Sequence, residues 1–71
     1  MSDFKIRLLE EKAQLDERLK KLQAFQASDA FQSIAPVQQT LLNIQAHTMA
    51  AYSQILAERI AWAEPVGASQ A

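Results

Sequence analysis

The stretch LLNIQAHTMAAYSQILAERI, residues 41–60, decides the fold. It contains no Gly or Pro, and its apolar residues recur at the three- and four-residue steps of an α-helix. Within it Gln45, Tyr52 and Arg59 fall seven residues apart, almost two helical turns, so their side chains should line one face nearly above one another.

Working outward, the uninterrupted pattern runs from residue 36 to about residue 64. It predicts a second helix of up to about 29 residues, near 43 Å long, with Pro36 suited to its first turn. The apolar residues are too many for one narrow stripe: Leu41, Ile44, Ala51, Ile55 and Trp62 mark one face, and Leu42, Met49, Leu56 and Ala63 mark an adjacent one. A two-helix hairpin needs a single apolar face, so the surplus asks for another chain. Ala46, Ala50, Ala51, Ala57, Ala61 and Ala63 allow helices to approach closely and leave room for a neighbour. Leu42, Met49, Leu56 and Trp62 are the expected oligomer interface.

Upstream, residues 3–27 also lack Gly and Pro and are rich in Leu, Glu, Lys, Gln and Ala, which predicts a first helix. Phe4, Leu8, Leu15, Leu19, Leu22 and Gln26 form its stripe, centred on the heptad series Leu8, Leu15, Leu22. Lys12 interrupts that stripe, so it must snorkel, pair with an acid or point into a cavity that wants a cation. Asp3/Arg7, Asp16/Lys20 and Glu17/Lys21 have the favourable acid-first spacing, worth about 0.2 to 0.5 kcal/mol each, and describe a solvated outer face. Between the helices, residues 28–35 form a connector. Residues 29–34 fit one short helical turn, with Ser28 and Asp29 as capping types and Phe31 and Ile34 plugging the open end of the hairpin.

The expected architecture is therefore all-α. Residues 1–64 form an antiparallel helical hairpin that self-associates into a helical-bundle oligomer, most simply a four-helix dimer, and residues 65–71 form a flexible tail. Size points the same way, because 71 residues bury too little surface to be comfortably stable alone. The absence of Cys excludes disulfides, and a lone His47 excludes a conventional zinc site. No metal or cofactor is expected.

A net charge of −1 argues against duplex nucleic acid as a partner. Six of the seven basic residues nevertheless precede residue 22, which leaves room for a local anion site. No apolar run approaches the roughly eighteen residues of a membrane span, and the charged N-terminus is unlike a signal peptide, so a cytoplasmic protein without a membrane partner is expected. Catalysis is not expected: His47 has no nucleophile and orienting acid arranged around it, and no Gly precedes Gly67 to form a phosphate loop.

The stripe Gln38, Gln45, Tyr52, Arg59 is the candidate binding surface. Tyr52 offers a flat face on which a base can stack, and Arg59 offers a planar fork for phosphate. Lys12 and Arg18 are the cations the first helix can add. A packed interface between chains would produce the same spacing, with the Tyr hydroxyl and the guanidinium satisfied by neighbouring side chains.

The pattern from RLLEEKAQLDERLKKLQAF, through Phe31, to QQTLLNIQAHTMAAYSQILAERI resembles a widespread group of small proteins of tailed phages and prophages, the family related to a small crAss-like phage protein. That group's first helix ends in a KL-x-AF element, matched by Lys21, Leu22, Ala24 and Phe25. A later segment is matched by Leu41, Leu42, Gln45, Met49, Tyr52, Ile55, Leu56, Arg59 and Ile60, so the likeness spans residues 4–60. It implies a phage origin and supplies no activity. In size and hairpin the chain is also similar to phage sponge proteins that hold cyclic oligonucleotide or cyclic ADP-ribose signals between protomers, a likeness of fold alone.

The expected function is that of a non-enzymatic phage-encoded counter-defence protein, acting in the host cell cytoplasm and sequestering a cyclic nucleotide in interprotomer pockets. Two alternatives stand beside it. One is a module that binds and inhibits a host protein, and the other is a purely structural helical oligomer.

Overall fold

The computed structural model describes residues 2–63, with side chains from residue 3 onward. Three helices follow in order: α1 (Ser2–Gln26), α2 (Asp29–Ser33) and α3 (Pro36–Ala61). No strand occurs among the described residues. The tail expected at residues 65–71 lies outside the described residues, and α3, expected to reach about Glu64, ends at Ala61 and gives way to a turn at Trp62 and Ala63.

α1 and α3 pack side by side in opposite directions and make a rod of 52 × 17 × 13 Å. Their seam joins two heptad series. Leu8 and Leu15 from α1 enclose Leu56 of α3, which is 0% exposed, and Met49, Ile60 and Ala63 pack against this cluster. Leu22 and Leu42 continue the seam, half-buried, toward the connector. Residues seven apart stay on the seam because both helices present the same period to one another.

α2 closes the end of the hairpin. Phe31 is buried and meets Phe25 edge to face, with ring centroids 5.8 Å apart and planes at 85°. Ser28 occupies the N-cap position of α2, yet its hydroxyl donates back to the Phe25 carbonyl at 2.6 Å. Ser28 thus ends α1 and leaves α2 without a side-chain cap. The carbonyls of Phe31 and Ile34 are met by the Gln39 amide at 2.9 and 3.2 Å, which ties the connector to the first turns of α3. Pro36 opens α3, where a missing N–H costs nothing.

The two apolar faces of α3 divide differently from the expected interface. Leu56 is sealed inside its own hairpin, and Met49 and Leu42 are half-covered by α1, so this face closes the chain on itself. Leu56 consequently has no surface to offer a second chain. The face left open is the other one, with Val37, Leu41, Ile44, Ile55 and Trp62 exposed. Phe4, expected on the α1 stripe, is exposed as well. No described helix is long and apolar enough to cross a membrane.

Truncating the sealed side chain should show which face holds the monomer together. Leu56→Ala is expected to lower unfolding free energy by about 2 to 5 kcal/mol in urea titrations. Ile6→Ala, on the exposed outer side of α1, should stay within about 0.5 kcal/mol of the parent. Equal losses in the two variants would contradict this seam.

Candidate ligand-binding edge

The spacing of Gln45, Tyr52 and Arg59 has a counterpart on α1, where Phe4, Glu11, Arg18 and Phe25 also recur every seven residues. Two contacts fix how these series meet. The Tyr52 hydroxyl donates to the Glu11 carboxylate, and the Arg59 guanidinium lies 6.0 Å from the centre of the Phe4 ring. Both pairs occupy consecutive rungs of one antiparallel register, so the next rung sets Arg18 at the level of Gln45. The rungs stand about 10 Å apart, since seven helical residues rise that far.

One edge of the hairpin therefore carries Arg59, Tyr52 with Glu11, and Gln45 with Arg18. It lies between the sealed seam and the open apolar stripe of α3. The Gln45 amide approaches the Met49 sulfur at 3.8 Å, one turn along its own helix. No ion pair engages Arg18 or Arg59 among the described residues. Both cations stay available to an incoming anion, with the flat Tyr52 ring between their rungs.

Lys12 does not join this edge. Its ammonium binds the Asp16 carboxylate at 2.7 Å, and the Ser53 hydroxyl donates to the same carboxylate from α3. The interruption in the α1 stripe is thus resolved by pairing with an acid one turn later. Asp16 is held below the ordinary carboxylate value chiefly by the Lys12 hydrogen bond, with Ser53 second. Further along this side, Gln26 donates to Asn43 at 2.8 Å. Of the expected interface residues, Trp62 alone is widely open, at 77% exposure.

Two open grooves of about 360 and 220 Å³ run elsewhere, lined by α1 residues around Asp16 and Lys20 and by Gln23, Gln26, Ala46, His47 and Ala50 respectively. Neither is lined by Tyr52, Arg59, Gln45, Lys12 or Arg18. His47 itself bonds the Asn43 carbonyl through Nδ1 at 2.8 Å, within its own helix. No group of three or more His, Cys, Asp or Glu residues able to hold a metal occurs among the described residues.

Sequence reasoning missed Glu11, Asp16 and Ser53 as cross-helix partners. The heptad Phe4, Glu11, Arg18, Phe25 was the available signal for Glu11. Asp16 reads equally well as a partner of Lys20, and only packing selects Lys12.

The described residues thus form a helical hairpin with one polar edge and shallow, open grooves. The chain matches the family model Sequestin over residues 2–62, and it belongs to the Sequestin family. Neither curated proteins nor solved structures offer a match.

Tyr52 is the sole tyrosine, so its titration reads the edge directly. Its bond to Glu11 raises the phenol above its ordinary value, helped by partial burial and the Glu11 charge, while Arg59 pulls the other way. A raised folded-state value means that the bond stabilises the fold below about pH 10, and that this stability is lost as pH rises through the folded value. Ultraviolet titration should place the phenol above about 10, and Glu11→Gln should return it toward that value. An unchanged titration in the variant would dissociate Tyr52 from Glu11.

Proposed function

We propose that this chain is a non-enzymatic, phage-encoded counter-defence protein that sequesters a cyclic mono- or oligonucleotide signal of the host immune response. The observation that carries the proposal is the alignment of Arg59, Tyr52 and the Gln45–Arg18 rung on one edge. A base stacks on the Tyr52 ring, and phosphates pair with the guanidinium groups of Arg59 and Arg18. Gln45 supplies an amide for the base edge. The Glu11 carboxylate is already bonded to Tyr52, so phosphate is directed to the two ends of the edge rather than to its middle.

The family name, matched along residues 2–62, supports a sequestering role. A binding-only protein also agrees with the weak catalytic prospects of the sequence. Its ligand is held between copies, in the cytoplasm of the infected cell. The exposed apolar stripe of α3 favours a second reading, in which the chain covers a surface of a host protein.

Thermal unfolding against cyclic di- and trinucleotides and cyclic ADP-ribose isomers separates these readings. At a hundredfold excess over Kd, a ligand that binds only the folded state adds about 2.7 kcal/mol. For a domain of this size that raises Tm by roughly 10 °C or more. The shift should vanish in Arg59→Ala, fall in Arg18→Ala and Tyr52→Ala, and persist in Lys12→Ala. The nucleotide should be recovered unaltered. No shift with any nucleotide, together with a stoichiometric host protein in a pull-down, would favour the second reading.

A further inference from the structure

Most of the outer stripe of α3 mirrors itself, Leu41 being the member whose mirror position is polar, at Glu58. Val37 and Trp62, Ile44 and Ile55, and Thr48 and Ala51 lie at equal distances on either side of the point between residues 49 and 50. A surface with this symmetry is complementary to a second copy of itself running the opposite way, as a two-fold interface requires. The small pair Thr48 and Ala51 falls at the centre, where the helices cross closest.

Charge points to the same occupant. Residues 36–57 contain no Asp, Glu, Lys or Arg, although much of this helix surface is exposed in the single chain. Depletion of charge is the compositional mark of an interface core. Glu58 flanks the stripe opposite Leu41 of the mate, and Arg59 beside it belongs to the polar edge, so charge returns only at the border of the stripe. Covering Val37, Leu41, Ile44, Ile55 and Trp62 on both copies removes on the order of 1,200 Å² of surface, enough for a specific, stable dimer.

We propose that a second copy of this chain covers the outer stripe of α3 in an antiparallel, two-fold pair, with Ile44 of each copy facing Ile55 of the other. The two-fold lies perpendicular to the pair of α3 helices, so it returns the polar edge of each chain to the same side of the dimer. Both α1 helices then stand as walls of one groove, with the two α3 helices as its floor. In this register Tyr52 of one copy is level with His47 of the other, two residues or about 3 Å along the helix from the mate's Gln45 and Arg18 rung. Each half of the groove thus combines Tyr52 and Arg59 from one chain with Arg18 from its mate, opposite Glu11.

The pairing stands independently of the ligand, and only the use of the groove as the nucleotide site rests on the proposed function. The chain has no native cysteine, so single-cysteine variants give an unambiguous readout. Mixed under oxidising conditions, Ile44→Cys and Ile55→Cys should form a disulfide with each other, while neither links efficiently to itself. Eleven residues separate the two positions, about 16 Å along the helix, beyond the roughly 7 Å limit for a disulfide. Ile6→Cys, on the far side of α1, should not cross-link.

Efficient self-linking of Ile44→Cys, which a parallel pair would give, overturns the proposal. So does a mixture without the cross-link whose folded mass stays at 7.9 kDa. A cross-linked dimer that gains no thermal stability from any nucleotide upholds the pairing and counts against the ligand reading alone.

Discussion

A single layer of leucine packing governs this molecule. Leu8 and Leu15 close over Leu56, and the heptad period shared by α1 and α3 repeats that contact along the rod. Because the seam uses one position in seven, it fixes the rotation of both helices about their axes. Every other surface takes its place from that rotation. The polar edge lies to one side of the seam, the Lys12, Asp16 and Ser53 network to the other, and the open apolar stripe of α3 beyond the edge.

The same thin core limits what the hairpin can do alone. Four large side chains are buried among the described residues, one of them Phe31 at the connector. Such a core leaves little free energy in reserve, and a helix surface as apolar as that of α3 is an aggregation hazard unless something covers it. Association with a second copy answers both difficulties. It also accounts for the division of charge between the helices, with α1 highly charged toward water and α3 nearly uncharged along most of its length.

The hairpin was legible because its signals are local and repeated. Long stretches without Gly or Pro, the Leu8, Leu15, Leu22 series and Pro36 at the start of α3 each point to the same arrangement. The assignment of the two α3 faces was not legible in the same way. Leu41, Ile44 and Ile55 are as apolar as Leu42, Met49 and Leu56, and periodicity alone cannot say which set α1 will choose. Polar partnerships across the seam were similarly hidden. Tyr52 and Glu11 are 41 residues apart, and the bond depends on the register that the leucines impose. The seven-residue spacing of Gln45, Tyr52 and Arg59 is what any surface running beside a heptad seam acquires. Its chemistry comes from the residue types placed there.

The account turns on whether the outer stripe of α3 is covered, and Trp62 reports on this without modification. It is the sole tryptophan and is 77% exposed in the single chain. In the two-fold pair it lies against Val37 of the other copy. The measurement is its fluorescence emission and quenching by acrylamide through a dilution series of the unmodified protein. The account predicts blue-shifted, protected emission that reddens only as dilution separates the copies. Fully solvent-exposed emission at every concentration, from protein whose helicity is intact, would contradict it.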